Sequence, residues 1–329
     1  MGIRIRGVGS YVPERVLTNA DLEKMVDTSD EWIVTRTGIR QRHIASPEQA
    51  CSDIAAGAAK AALANCGMDA TELDLIIVST ISPDMAIPNT AALVQHKIGA
   101  SKCPAFDVEA ACTGLLYNMN IAYGMMSAPK LGFRRVMIIG AEKLTSLVDW
   151  TDRGTCVLFG DGASAVILEN DGDPDTPDFL VGSLLGADGQ YGPLLCVPAG
   201  GSARPASAET VAKRLHYVSM QGGKTFQLAV ISMTRSCQLV LREAGISMDQ
   251  VRWAIPHQAN DRIIDAVATR LKAEEKVFRN IENYGNTSSA SIGIALDELN
   301  HKGLLARGDY ILTTAFGAGL TWGAVLIRW

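Results

Sequence analysis

The hydrophobic positions of this chain fall in short, nearly unbroken runs. Examples are Leu75-Ile76-Ile77-Val78, Val136-Met137-Ile138-Ile139 and Ala165-Val166-Ile167-Leu168. A run that is apolar at every position suits a strand covered on both faces, the habit of a largely parallel sheet between helices. Alanine-rich helical stretches such as residues 53–66 lie between the runs. The opening Met1-Gly2-Ile3-Arg4-Ile5-Arg6 alternates apolar and charged residues, which predicts a strand rather than a signal peptide. Strands alternating with helices place the chain in the α/β class.

The pattern occurs twice. A helix closed by Gly67 leads into the strand around Ile77, and a helix closed by Gly245 leads into the strand around Ile255, each over 10 residues. Glycine at a helix end suits a left-handed cap. Cys112 precedes the strand beginning at Val136 by 24 residues, and Asn286 precedes the one beginning at Tyr310 by 24. The stretch 163–168 resembles 322–327. The chain therefore reads as two halves, 1–175 and 176–329, divided after the Asp/Pro/Gly-rich run 170–177. Any α/β protein repeats helix, turn and strand, but two matching spacings argue for duplication.

Length agrees, since 329 residues correspond to about two domains. A net charge of −5 argues against a general nucleic-acid binder. Seven widely spaced cysteines, an odd number with no C-x-x-C, argue against a disulfide framework or a zinc site and for a reducing, cytoplasmic setting. The uncharged stretches 110–129 and 310–327 approach membrane-span length. Their glycines, asparagines, threonines and proline mark them instead as buried elements, with no membrane implied.

Three residues follow predicted strands, where ligands of open α/β sheets collect. Cys112, among Ala110, Ala111 and Gly114, opens a long uncharged helix; the helix dipole and free N–H groups there favour thiolate. A small buried hydrophobe is the alternative. His257 exchanges a proton near neutrality, or is a structural histidine. Asn286 is either an amide aimed into a cavity or a helix cap. The loop Phe316-Gly317-Ala318-Gly319 lets backbone N–H groups approach a ligand, or simply makes a bend.

Taken together, these stretches resemble the β-ketoacyl-[acyl carrier protein] synthase III family. Further matches are Gly7 to Pro13, Asp30-Glu31-Trp32-Ile33, Arg36-Thr37-Gly38-Ile39, Thr151-Asp152-Arg153-Gly154, Phe159 to Ala163, His257-Gln258-Ala259-Asn260 and Tyr284 to Ser288. The resemblance spans nearly the whole chain. It implies a thiolase-like fold, two pseudo-repeated α/β halves in a layered αβαβα architecture. It implies an acyltransferase that starts type II fatty-acid synthesis: an acyl-CoA primer passes to Cys112 and condenses with malonyl-[acyl carrier protein], with loss of carbon dioxide. The catalytic residues it implies are Cys112, His257 and Asn286. The backbone N–H groups of Cys112 and Ala318 form the oxyanion hole, and Phe316 walls the site.

By the same resemblance Thr28, Trp32, Arg36, Arg153 and Asn260 bind coenzyme A, with the adenine between Trp32 and Arg153. Arg262, Arg270 and Lys272 on one helix dock the acidic carrier protein, although Asp261 and Asp265 interrupt that cluster. The family is homodimeric, and residue 87 reaches the partner's acyl pocket; Ile87 stands where phenylalanine is frequent. No metal or redox cofactor is implied; acyl-CoA is a substrate. A polyketide- or quinolone-starter synthase is the alternative with the same triad. A degradative thiolase would carry a second cysteine in the glycine loop, which residues 315–319 lack, and a non-catalytic acyl-CoA binder would not need Cys112.

Overall fold

The computed structural model describes residues 2–173 and 175–329. Met1, at the start of the predicted first strand, and Pro174, inside the predicted boundary run, lie outside the described residues.

Two main sheets carry the fold. The first orders its strands Ile3–Tyr11, Gly162–Asn170, Arg135–Glu142, Leu75–Ser79, Ala105–Val108. The second orders them Leu180–Ala187, Thr321–Arg328, Tyr310–Gly317, Val251–Pro256. Read in these directions, both sheets run antiparallel, antiparallel, parallel. The fifth strand of the first sheet survives in the second only as a parallel bridge between Ala254 and Val277. The duplication read from the spacings is thus present strand for strand, with one strand worn down.

The sheets are mixed, not largely parallel. The unbroken apolar runs arose from double coverage rather than from parallel pairing: antiparallel Gly162–Asn170 is as deeply buried as parallel Leu75–Ser79. The covering helices make five layers. Cys51–Cys66 and Thr90–Ile98 pack outside the first sheet, and Gly222–Ala244 and Asp261–Leu271 outside the second. Gly114–Met126 and Ser291–His301 lie between the sheets. Their place explains their composition. Leu115, Leu116, Met119 and Ala122, with Ile292, Ala295, Leu296 and Leu299, join the central core that both sheets share. The uncharged stretches 110–129 and 310–327 are accordingly a sandwiched helix and a buried hairpin. Among the described residues, no helix is long and apolar enough to cross a membrane.

The inter-sheet layer brings the two halves' loops together. A Cβ on Gly140 would meet the backbone oxygen of Ser289 at 2.3 Å, and one on Gly317 would meet Cys112 N at 2.8 Å. Glycine at these two positions lets the Asn286 loop and the glycine loop close onto the nucleophile turn.

Candidate active site

A cavity of about 1300 Å³ opens where these loops meet. Cys112, His257, Asn286, Phe316 and Ala318 line it, although 174 residues separate Cys112 from Asn286. Trp32, Arg36, Asn260 and Arg262 line it too. Thr28, Ile87, Arg153, Arg270 and Lys272 do not.

Cys112 sits in the 3-10 turn Ala111–Thr113, directly before the helix Gly114–Met126. Ala111 is held at φ 45, a left-handed conformation costing a residue with a Cβ about 1 kcal/mol or more. Two threonines brace the turn. The Thr113 hydroxyl donates to Ala110 O at 2.7 Å and lies 2.9 Å from the Thr321 hydroxyl, which is 3.1 Å from Ala318 O. The nucleophile turn and the glycine loop are therefore held as one unit.

The charge state differs from the sequence expectation. Burial pushes the Cys112 thiol up to about 12, against the help of the nearby Ser288 hydroxyl. Helix-terminus stabilisation of thiolate does not outweigh desolvation in the cavity. The resting sulfur is a thiol.

His257 follows strand Val251–Pro256, and its N–H donates to Thr314 O at 2.8 Å. It is 2% exposed, and burial lowers its pKa to about 4, so it is a neutral imidazole at pH 7 rather than a group titrating near neutrality. Nδ1 lies 2.7 Å from Ser291 Oγ, whereas Nε2 has no partner. A serine hydroxyl donating to Nδ1 leaves Nε2–H as a free donor.

Asn286 is tied at its backbone: its N–H donates to Leu158 O at 2.8 Å, and Gly160 N–H donates to its carbonyl at 3.0 Å. Its side-chain Oδ1 accepts from Ser288 N–H at 2.9 Å, so it does cap the short turn that follows. Both sequence readings hold at once: the oxygen caps, and the NH₂ makes no hydrogen bond within the described residues.

The coenzyme-side residues cluster at the mouth. Both Arg36 (4.9 Å) and Arg153 (5.3 Å) lie over the Trp32 ring. Arg153 also donates to Asp27 O at 2.8 Å. Ser29, not Thr28, caps the helix Asp30–Thr37 that carries Trp32. Asn260 caps the helix Asp261–Leu271 and donates from Nδ2 to Arg36 O at 3.0 Å.

On that helix Arg262 is exposed beside Phe226 at 5.8 Å. Arg270 is exposed at the far end. Lys272 is not on the helix but past it, in a left-handed cap at φ 53. Arg279 bridges Asp261 and Asp265 at 2.5 and 2.6 Å, so these two carboxylates balance the two guanidiniums Arg262 and Arg279 in charge, while Arg262 itself makes no ion pair among the described residues. Ile87 is 86% exposed.

Sequence reasoning missed Ser291 and Thr321, whose hydrogen-bond partners are remote in sequence, Ser288, whose hydroxyl has no hydrogen-bond partner, and Glu142, which lies beyond the apolar run 136–139. The serine run 288–291 was visible, but nothing in it distinguished one serine from another.

A duplicated five-layer fold with cysteine, histidine and asparagine drawn from both halves into one buried cavity defines a thiolase-fold condensing enzyme. The chain belongs to the 3-oxoacyl-[acyl-carrier-protein] synthase III family: the models of that family match residues 106–189 and, for its C-terminal part, 241–329. It is 50% identical to a β-ketoacyl-[acyl-carrier-protein] synthase III of Caldanaerobacter subterraneus subsp. tengcongensis, over 99% of this chain and 97% of that one. The crystal structure of 3-oxoacyl-[acyl-carrier-protein] synthase III from Aquifex aeolicus VF5 superposes with a TM-score of 0.90 at 47% identity, covering 100% of both chains. The priming β-ketosynthase of the R1128 polyketide pathway shares the fold at a TM-score of 0.89 but is 33% identical, over 99% of this chain and 96% of that one.

Proposed function

We propose that the chain performs the initiating condensation of type II fatty-acid synthesis, with Cys112 as nucleophile and His257 and Asn286 as donors to the second substrate. The single observation that carries the site assignment is the free imidazole Nε2 and free amide NH₂ facing one cavity with a thiol.

In the first half-reaction Cys112 sulfur attacks the acyl-CoA thioester and coenzyme A leaves. The oxyanion that forms lies against the N–H groups of Cys112 and Ala318, held together by the Thr113–Thr321 brace. In the second, malonyl-[acyl carrier protein] places its thioester oxygen against His257 Nε2–H and the Asn286 amide. Negative charge gathers on that oxygen as carbon dioxide departs, and neutral donors in a dry site stabilise it. The resulting carbanion attacks the carbonyl carbon of the acyl-cysteine, the carbon–sulfur bond to Cys112 breaks with the sulfur as leaving group, and the β-ketoacyl-[acyl carrier protein] is released. Phe316, buried in the wall, keeps water from both intermediates. Sulfur chemistry and carbon dioxide loss drive the scheme, so no metal or redox cofactor enters it.

Trp32, Arg36, Arg153, Thr28 and Asn260 form the coenzyme A side of the mouth. With its guanidinium on the ring, Arg153 swings aside before an adenine stacks on Trp32. The exposed Ile87, near exposed Met85, faces a second copy in a homodimer whose neighbouring acyl pocket it reaches. The halves divide at 175/176. Seven unpaired cysteines suit a cytoplasmic location.

The deciding experiment supplies a panel of acyl-CoA primers with malonyl-[acyl carrier protein]. A β-ketoacyl-[acyl carrier protein] product from a short primer is expected; turnover only with an aromatic or long-chain starter points to the polyketide- or quinolone-type alternative. The carrier protein approaches over Arg262, which is exposed and makes no ion pair with Asp261 or Asp265, with Arg270 and Lys272 at the rim. Arg262→Glu is expected to raise KM for malonyl-[acyl carrier protein] about tenfold and to leave acylation by acyl-CoA within about twofold. Equal losses on both substrates would refute the docking role.

A further inference from the structure

The two N–H groups of the oxyanion hole come from opposite halves of the chain. Cys112 belongs to the turn Ala111–Thr113, and Ala318 to the loop between strands Tyr310–Gly317 and Thr321–Arg328. Local folding fixes neither relative to the other, so contacts across the seam set their separation. One contact is steric. A Cβ on Gly317 would meet Cys112 N at 2.8 Å, Cys112 Cβ at 3.1 Å and Ala111 Cβ at 3.3 Å, so the two backbones already touch. Contact of this kind sets a lower limit on the separation and gives no directional hold.

The directional hold comes from two hydroxyls. Thr113 Oγ1 lies 2.7 Å from Ala110 O and 2.9 Å from Thr321 Oγ1. Thr321 Oγ1 lies 3.2 Å from Ala110 O and 3.1 Å from Ala318 O. Among the described residues, no other hydrogen bond joins residues 110–113 to residues 315–321. Two hydroxyls carry two hydrogens. The shortest contact takes the Thr113 hydrogen to Ala110 O, which leaves the Thr321 hydrogen shared among Thr113 Oγ1, Ala318 O and Ala110 O. Both carbonyls belong to the short segments that carry the donors: Ala110 O lies two residues before the Cys112 N–H, and Ala318 O is on the second donor residue itself.

The hairpin does not need this link to close. Gly317 and Thr321 are already paired in the strand ladder, and Leu320 is tied to Asp188 by N–H to carbonyl bonds of 2.9 and 3.1 Å. Thr113 is fully buried, and Thr321 lines the cavity. The hydroxyl pair therefore adds one thing, a bond across the seam at the hole.

We propose that Thr113 and Thr321 are positioning residues for acyl transfer alone: they set the spacing of the Cys112 and Ala318 N–H groups and take no part in decarboxylation. Oxyanion donors act at about 2.7–3.1 Å, and a misplacement of about 1 Å can cost about 100-fold. Losing one hydroxyl, with the Gly317 contact intact, moves the loop by less than that. His257 and Asn286 are held by Ser291, Thr314, Leu158, Gly160 and Ser288, and none of these bonds involves either threonine.

This assignment rests on Cys112 as the nucleophile. Thr321→Val removes the hydroxyl and keeps the branched shape beside Gly319, where a Cβ would meet Thr321 Cγ2 at 2.9 Å. Single-turnover acylation by saturating acetyl-CoA, followed by peptide mass spectrometry, is expected to slow about tenfold in this variant. The half-saturating acetyl-CoA concentration and malonyl-[acyl carrier protein] decarboxylation should each stay within about twofold of wild type. Thr113→Val is expected to match it, and the double variant to lose little more than either, because the two hydroxyls make one link. Thr321→Ser, which keeps the hydroxyl, is expected to recover acylation to within about threefold of wild type. The acyl-enzyme gives a readout apart from rate. In infrared difference spectra of protein acylated with carbonyl-labelled acetyl-CoA, the Cys112 thioester carbonyl should absorb at higher frequency in Thr321→Val, since looser donors polarise it less. An unchanged carbonyl frequency or a wild-type acylation rate in Thr321→Val would overturn the proposal while leaving the nucleophile assignment standing. Parallel loss of acylation and decarboxylation would also overturn it, as would a Thr321→Ser variant as slow as Thr321→Val, since both point to packing rather than positioning. Wild-type label on a residue other than Cys112 would overturn the nucleophile assignment itself.

Discussion

Cys112→Ala is expected to take up no acyl group from acetyl-CoA and to lower β-ketoacyl product formation by about four orders of magnitude or more, while still decarboxylating malonyl-[acyl carrier protein]. The first loss follows because a covalent intermediate cannot form without the sulfur, and removing a covalent nucleophile costs more than removing any single hydrogen-bond donor. The survival of decarboxylation follows from the geometry. His257 is positioned by Ser291 and Thr314, and Asn286 by Leu158, Gly160 and Ser288, none of which needs the thiol. Alanine also removes little volume beside Ala110 and Ala111, so the cavity keeps its shape. Peptide mass spectrometry after incubation with acetyl-CoA, together with carbon dioxide release, checks both halves. Acyl label elsewhere in the chain would end the assignment.

His257→Ala and Asn286→Ala are each expected to reduce decarboxylation by about 100- to 1,000-fold, the usual cost of one donor to a developing oxyanion. Acylation should change by about tenfold or less, since neither side chain bonds the Cys112 sulfur at rest. A second signature comes from protonation. The imidazole has its pKa lowered to about 4 by burial, so it stays neutral from pH 5.5 to 8.5. Decarboxylation by wild-type protein should therefore be flat across that range. A fall centred near 6.5, the ordinary histidine value, would show that His257 is solvated during turnover and that its donor role is misdescribed.

Much of the fold could be read from the chain. The runs at 75–78, 136–139 and 165–168 are strands, the equal spacings do mark a duplication, and Cys112 and His257, which follow strand ends, do converge on a cavity; Asn286 reaches it from after the short helix Ile281–Tyr284 instead. The error over parallel pairing has a plain cause: an unbroken apolar run reports burial on both faces, and either strand direction satisfies that. Placing Lys272 on the helix failed by one residue, because the charge pattern does not show where a left-handed cap interrupts it.

What the sequence determined by itself is which residues exist to react and the order of the strands that present them. Cys112 and His257 follow strands Ala105–Val108 and Val251–Pro256, where local chain geometry puts them, whereas Asn286 follows the short helix Ile281–Tyr284 and not the strand expected. Their charge states were decided by tertiary structure alone. A cysteine at a helix start read as thiolate, and a histidine as a neutral-pH titrator, because those are the properties of exposed groups. Packing the two halves face to face removes water from both, which raises the one and lowers the other. Desolvation is a property of the assembled layers, and no spacing along the chain encodes it.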